Sequence, residues 1–133
     1  MAQQIFVNLS VKDLNKSKTF FEALGYSFNP QFTNDDAACM VISDTIYTML
    51  LTEPFFKKFT KKDVVDAKKA TEVMVCLSAD SRTEVDEIVR KAVAAGGRIY
   101  KEPQDQGFMY AHSFEDLDGH QWEFAYMDPS YIQ

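Results

Sequence analysis

The sequence predicts an α+β fold in which two βαβββ modules follow one another and form cupped mixed sheets around a cavity. The first observation behind this prediction is a repeat. The strand-like segment 5–11 reappears at 73–79, offset by 68 residues, so that Val7 aligns with Val75 and Leu9 with Leu77. The second observation is order. Each of these strands precedes an amphipathic helix, and each helix precedes material for three further strands.

The first module is predicted over 4–53. Residues 5–11 alternate apolar with mixed side chains, which is the period of a half-buried strand. Asp13 is a helix-capping residue, the helix that follows turns its leucines and phenylalanines inward, and Gly25 ends it. The three further strands are predicted at about 26–32, 37–43 and 45–52.

The second module is predicted over 71–127. Its first strand, 73–79, is followed by the capping box of Ser81 and Glu84 and by an apolar helical stripe that Gly96 ends. Asp118-Gly119 predicts a two-residue hairpin turn before the last strand. The three further strands are predicted at 98–102, 108–115 and 120–126.

A linker over 54–70 joins the two modules, and we expect one domain over residues 1–133. The linker is longer than most connections, which is often the case for a lid or a binding loop. The other interpretation is a short solvated helix that packs Phe55, Phe56 and Phe59 against the domain. The sequence leaves both open.

Composition and charge exclude several classes of protein. The chain of 133 residues has 14 basic and 20 acidic side chains, a net charge of −6, which is the wrong sign for neutralising phosphates, so we expect no nucleic-acid partner. No apolar run has the length of a membrane span, and the first residues lack the pattern of a signal peptide. Cys39 and Cys76 are therefore expected to be reduced, and the protein cytoplasmic.

Strand alternation predicts which side chains line the concave side of the cup. On the first strand Leu9 and Val11 face the helices, and on the last strand Trp122 and Phe124 do. His112, on a strand of uncertain facing, is either an ordinary core or surface histidine or a wall of the pocket. The predicted lining, apolar with a few polar points, is Phe6, Asn8, Met49, Met74, Cys76 and Glu123, with His112 as a further candidate.

Two motifs carry a family resemblance. With the paired modules, the early Val11-Lys12-Asp13-Leu14 and the late Asp116-Leu117-Asp118-Gly119-His120-Gln121-Trp122-Glu123 resemble the vicinal oxygen chelate superfamily. That superfamily contains glyoxalase I, bleomycin-resistance proteins, fosfomycin-resistance enzymes and extradiol dioxygenases. The resemblance implies a small-molecule site in a cupped sheet, usually completed in a homodimer, and in many members a divalent metal.

The resemblance also places the positions at which metal-dependent members carry their ligands. Here these positions hold Phe6, Met49, Met74 and Glu123, where such members carry His, Gln or Glu. Phenylalanine cannot ligate a metal, and a thioether is poorly suited to hard or borderline divalent ions. We therefore expect no metal ligands and no cofactor of the family type.

Glu123 is the candidate catalytic residue. It is interpreted as a proton acceptor, as the partner of a cationic ligand, or as a structural carboxylate held by its neighbours. The function expected first is small-molecule binding of the bleomycin-resistance kind, with an unassigned ligand. The alternatives are a metal-dependent enzyme resembling lactoylglutathione lyase or extradiol dioxygenase, a metal-independent enzyme with Glu123 as base, and a vestigial pocket in a protein-contact domain.

Overall fold

The computed structural model describes residues 3–131, so the first two and last two positions of the expected domain lie outside the described residues. The chain divides into two compact units, Met1–Val65 and Asp66–Gln133. The boundary falls within the segment 54–70 that the sequence marks as the linker. Each unit contains one four-stranded mixed sheet and one long helix.

The first unit is a βαβββ module, as predicted. Its sheet has the order β1-β4-β3-β2, with β1 parallel to β4 and the other pairs antiparallel. The side chain of Asp13 caps α1 by accepting a hydrogen bond from the Lys16 N–H at 3.1 Å. The elements are β1 (Ile5–Val11), α1 (Leu14–Ala23), β2 (Ser27–Phe28), β3 (Ala37–Val41), β4 (Ile46–Thr52) and the one-turn helix α2 (Glu53–Phe56).

The second unit repeats the same topology, and this confirms the internal repeat. Its sheet has the order β5-β8-β7-β6, with β5 parallel to β8. Ser81 caps α3 by accepting from the Glu84 N–H at 3.1 Å, and the Glu84 carboxylate accepts from the Asp80 N–H at 2.9 Å. The elements are β5 (Met74–Ser78), α3 (Arg82–Ala94), β6 (Gln104–Asp105), β7 (Met109–Glu115) and β8 (Gln121–Met127).

Two predicted strands are much shorter in the structure. The strand expected over 26–32 is limited to β2, because Asn29 caps a 3-10 turn that begins at Pro30. The strand expected over 98–102 is reduced to a single bridge from Arg98 to Glu115, and pairing resumes at β6.

The predicted two-residue turn at Asp118-Gly119 is wrong in length. The loop between β7 and β8 runs from Asp116 to His120, and the Asp116 N–H donates to the His120 carbonyl at 2.9 Å. The carboxylate of Asp116 also accepts from the N–H groups of Asp118 and His120, at 2.9 and 3.0 Å. These bonds close a five-residue loop.

Each sheet buries one face against its helix. In the first unit the buried side chains include Leu9, Leu50, Phe20 and Phe21. In the second they include Trp122, Phe114, Val85 and Val89. Leu9 and Trp122 thus face inward as the alternation predicts. Within the described residues, no helix has both the length and the apolar character needed to cross a membrane.

Candidate functional site

The face of the first sheet turned away from α1 brings together three of the predicted site residues. In the parallel register of β1 and β4, Phe6 lies beside Tyr47 and Asn8 beside Met49. Cross-strand neighbours point to the same face of a sheet. The rings of Phe6 and Tyr47 stack with centroids 4.8 Å apart, and Phe6 keeps 50% of its surface exposed. Phe6, Asn8 and Met49 therefore lie on one face, which also carries the buried Cys39 and Leu51.

A pocket of about 370 Å³ lies on this face. Three amide side chains line it, from Asn8, Gln31 and Asn34. Three phenyl rings also line it, from Phe32, Phe55 and Phe59. The remaining lining is Ala37, Met49 and Leu51. Of the described residues that line the pocket, none carries an ionisable side chain.

Two irregular segments supply the pocket residues that the sheet does not. After β2, the Asn29 side chain accepts from the Gln31 N–H at 2.9 Å, which holds the 3-10 turn carrying Gln31 and Phe32. The Asn34 Oδ1 accepts from the N–H groups of Asp36 and Ala37, at 2.8 and 3.1 Å, and so fixes that side chain.

The other segment follows β4. Pro54 stands in the first turn of α2, where its missing N–H costs little. The next turn places Phe59 against Phe55, with ring centroids 5.2 Å apart and planes at 82°. The segment thus forms a short helix, and two of its phenylalanines, Phe55 and Phe59, line the pocket.

The second unit holds a separate cluster around Glu123. In the parallel register of β5 and β8, Cys76 lies beside Glu123 and Met74 beside Gln121, so Met74, Cys76 and Glu123 share a face. Burial, a hydrogen bond to Glu123 and the negative charge of that carboxylate raise the pKa of the Cys76 thiol to about 11. The ammonium of Lys101 lies 3.7 Å from the Glu123 carboxylate.

Ser113 belongs to the same face of the second sheet. It lies beside Glu123 in the antiparallel register of β7 and β8, and its side chain is fully buried. Its hydroxyl has no hydrogen-bond partner among the described residues. The cluster is therefore a carboxylate that a thiol and an ammonium already contact, beside a buried hydroxyl.

His112 lies on the opposite face of the second sheet from Glu123. Its cross-strand partner is Phe124, which is buried on the helix side. Tyr110, two residues earlier on the same face, donates through its hydroxyl to Asp86 of α3 at 2.5 Å. Since successive strand residues alternate faces, the structure does not bring His112 together with the other predicted site residues.

Comparisons with known proteins agree with this architecture. A family model described as Bleomycin resistance protein-like N-terminal matches residues 3–43. A solved structure of the hypothetical protein SA1046 from S. aureus is 32% identical, with a TM-score of 0.78 and 95% of each chain covered. A glyoxalase-related enzyme from Fulvimarina pelagi is 21% identical, with a TM-score of 0.78, 95% of this chain and 88% of that chain covered.

A third solved structure is the genomically encoded fosfomycin resistance protein FosX from Listeria monocytogenes. It is 21% identical, with a TM-score of 0.68, 95% of this chain and 91% of that chain covered. This chain belongs to the vicinal oxygen chelate superfamily. No curated protein sequence matches it significantly.

The side chains at the four ligand positions of this chain do not fit the divalent metal of the superfamily. Phe6 offers no donor atom, and Met49 and Met74 offer only thioether sulfur, whereas Zn, Mn and Fe prefer imidazole and carboxylate. The remaining position, Glu123, is already contacted by Cys76 and Lys101. Among the described residues there is no group of three or more His, Cys, Asp or Glu side chains that could hold a metal ion.

Sequence reasoning missed several residues that this superfamily member places at these sites. Gln31 and Phe32 were expected in a strand, yet Asn29-Pro30 is a signal for a turn that could have placed them. Asn34 is in a run of turn-forming residues and gave no signal of a pocket. Lys101 and Ser113 gave none either, because their contacts depend on how β7 pairs with its neighbours.

Proposed function

We propose that this chain is a small-molecule binding protein of the vicinal oxygen chelate superfamily, and that it holds its ligand in the first-unit pocket without a divalent metal. The observation that carries this proposal is the pocket of about 370 Å³ with its amide and phenyl lining. Small-ligand sites are commonly clefts of about 300–1,000 Å³, mostly apolar with a few polar groups. Asn8 and Met49 were predicted to line the ligand site, and both line this pocket.

Burial of a ligand ring against the phenyl side chains would provide most of the affinity. Phe59 is 69% exposed and Phe32 is 58% exposed, so both have apolar surface to cover. Covering apolar surface contributes about 25 cal/mol per Å², before the costs of ordering the ligand are subtracted. The amides would then fix the orientation of the ligand.

A metal-dependent enzyme that resembles lactoylglutathione lyase or extradiol dioxygenase is the alternative. The observation in its favour is Glu123, an acidic side chain at a position where such enzymes carry a ligand. Three of the four ligand positions argue against it, because their side chains offer no nitrogen or oxygen donor. Glu123 is 31% exposed and already lies 3.7 Å from the ammonium of Lys101, so its carboxylate is better suited to a single cationic group than to a metal that needs several ligands.

A thermal-shift screen of small aromatic compounds with metal-free, untagged protein tests the proposal. We expect compounds that raise the melting temperature, and we expect Phe59→Ala to abolish that shift. The matched control is Phe56→Ala, since Phe56 is in the same segment but does not line the pocket. The alternative is tested by measuring metal per chain before and after dialysis against Ni, Zn, Mn and Fe. Stoichiometric metal that survives dialysis, together with lyase or dioxygenase turnover, would overturn the proposal.

Glu123→Gln in the same screen tests the role of the carboxylate. If Glu123 recognises a cationic ligand, the variant loses the shift for that ligand and keeps the shifts that Phe59→Ala abolishes. We further propose, from the superfamily, that the protein is a cytoplasmic homodimer. Light scattering coupled to size-exclusion chromatography measures the mass directly, and a mass of one chain, 15.2 kDa, would contradict the dimer.

A further inference from the structure

We propose that the ligand of the first-unit pocket is an uncharged planar aromatic or heteroaromatic compound with an amide-like edge that both donates and accepts hydrogen bonds. This inference rests on the proposed function, because it names the ligand class of the same pocket. It also sets that pocket apart from the Glu123 cluster, which has a carboxylate and would suit a cation.

The pocket favours a neutral ligand because its lining contains no ionisable group to compensate a charge. A charged ligand would give up hydration without gaining a counter-ion from Asn8, Gln31 or Asn34. An anion is further disfavoured by the net charge of −6 on the chain. A neutral ring loses the least on entering such a site.

One charged group does lie near the pocket walls. The ammonium of Lys58 lies 5.7 Å from the centroid of the Phe55 ring, in a cation–π contact, but Lys58 is not part of the lining. If Lys58 turned toward the ligand, an anionic compound would bind best. The preference between neutral and anionic probes therefore decides whether this lysine takes part.

The amide groups predict the polar edge of the ligand. The Asn34 Oδ1 already accepts two backbone N–H bonds, from Asp36 and Ala37, so its NH₂ group is the part left to donate. The side chains of Asn8 and Gln31 make no hydrogen bond to the described residues, so each can donate and accept. A ligand edge with an adjacent carbonyl and N–H matches this set.

The phenyl groups predict the flat body of the ligand. Phe55 and Phe59 meet edge to face, with planes at 82°, so the two rings form a corner. Aromatic rings pack well in stacked and edge-to-face arrangements, and a flat ligand can make both at such a corner. A bulky aliphatic compound would leave part of these faces uncovered.

Three probes of nearly equal shape test the charge preference: benzamide, benzoate and benzamidine. A fragment of about nine non-hydrogen atoms is expected to bind in the millimolar range. Binding is followed by ¹H–¹⁵N correlation spectra, in which the side-chain NH₂ signals of Asn8, Gln31 and Asn34 report on the pocket directly. We expect benzamide to shift these signals at concentrations at which benzoate and benzamidine do not.

Asn8→Asp introduces a charge at the pocket with little change of shape. A carboxylate about 4 Å from the probe changes the affinity for a cation by about fivefold or more, so benzamidine should gain and benzamide should not. The matched control is Asn15→Asp, the same change on an exposed position of α1, which should leave all three affinities unchanged.

The outcomes separate this inference from the proposed function. If benzoate or benzamidine shifts the pocket amides of the unsubstituted protein more than benzamide does, the neutral-ligand inference is overturned and the binding pocket stands. If none of the three probes shifts those amides at about 10 mM, the neutral-ligand inference is overturned, and the proposed function is decided separately by the thermal-shift screen. A shift confined to signals around Glu123 also overturns the inference.

Discussion

Cys76 lies directly beside Glu123 across the parallel pair β5–β8, and the neighbouring carboxylate helps to raise the pKa of the thiol. Burial is the largest cause of the raised pKa of this thiol, and the hydrogen bond and negative charge of Glu123 add to it, taking the pKa from 9.0 to about 11. Cys76 is nonetheless on an exposed position. An accessible thiol is thus held in its unreactive, protonated form.

The first prediction follows from this pKa. At pH 8, a thiol with a pKa of about 11 has about one hundredth of the thiolate of a thiol at 9.0, because two pKa units separate them. The thiolate is the reactive form, so alkylation of Cys76 by iodoacetamide should be slower by about the same factor. Peptide-resolved mass spectrometry over pH 7–11 measures the rate, which should rise toward a midpoint near 11.

Glu123→Gln should accelerate the alkylation several-fold at pH 8. The substitution removes the negative charge, whereas the burial remains, so the pKa falls only part of the way to 9.0. The control is Glu72→Gln, the same change at an exposed position before β5, which should leave the rate unchanged. A midpoint near 9 in the unsubstituted protein would contradict the hydrogen-bonded arrangement.

The sequence predicts the two modules well because their signal is local. Alternation alone determines that Leu9 and Trp122 are buried while Phe6 and Glu123 are on the other face. The length of the last hairpin turn, in contrast, has no such local signal in the sequence. It depends on the Asp116 carboxylate, which captures the N–H groups of Asp118 and His120, and no dipeptide rule describes that bond.

The pocket is harder to predict than the sheets because most of its residues are in irregular segments. Asn8 and Met49 follow from strand facing, but Phe32 and Asn34 reach the pocket through a capped turn between β2 and β3. Lys101 lies in the irregular connection before β6, and its ion pair with Glu123 links that connection to the central strand β8. Only the folded arrangement brings these groups together.

The second prediction concerns the buried hydroxyl of Thr48. This side chain lies on the helix-facing side of the first sheet, between Val7 and Met40 in the register, and is fully buried. Its Oγ1 has no hydrogen-bond partner among the described residues. Thr48→Val removes the unsatisfied group with little change in volume, so it should raise the free energy of unfolding by about 1–2 kcal/mol.

Urea denaturation followed by circular dichroism measures this change. The control is Thr19→Val, on an exposed position of α1, which should change the free energy of unfolding by less than about 0.5 kcal/mol. A loss of stability in Thr48→Val would mean that the hydroxyl binds a buried water, which contradicts the unpaired state.

The third prediction compares two glycines of the second unit. Gly107 and Gly119 both have positive φ, 81° and 92°, so alanine at either position is strained by about 1–2 kcal/mol. A Cβ at Gly107 would meet no atom within 4 Å, whereas at Gly119 it would lie 2.8 Å from the Lys68 nitrogen. Gly119→Ala should therefore lower the free energy of unfolding by about 1–3 kcal/mol more than Gly107→Ala does. Equal losses in urea denaturation would contradict the close packing of 67–68 on the β7–β8 loop.

The fourth prediction concerns the buried contact between Asp116 and Trp122. The indole Nε1–H donates to the Asp116 carboxylate at 3.0 Å, and the same carboxylate holds the loop N–H groups of Asp118 and His120. Asp116→Ala leaves three donors without this acceptor, so it should lower the free energy of unfolding by about 2–4 kcal/mol. Asp116→Asn should lower the free energy of unfolding by less, because the amide carbonyl oxygen can still accept a hydrogen bond. Some loss should remain, because the amide NH₂ group cannot replace the second carboxylate oxygen as an acceptor.

Trp122 is the only tryptophan of the chain, so its fluorescence reports directly on this contact during urea denaturation. Losing the Asp116 carboxylate should shift the emission of the native state as well as the midpoint, since the indole N–H loses its partner. Asp63→Ala, at an exposed position, is the control and should change neither. If Asp116→Ala unfolds at the same urea concentration as the control, the carboxylate does not stabilise the loop, and the longer turn must be held by its backbone bonds alone.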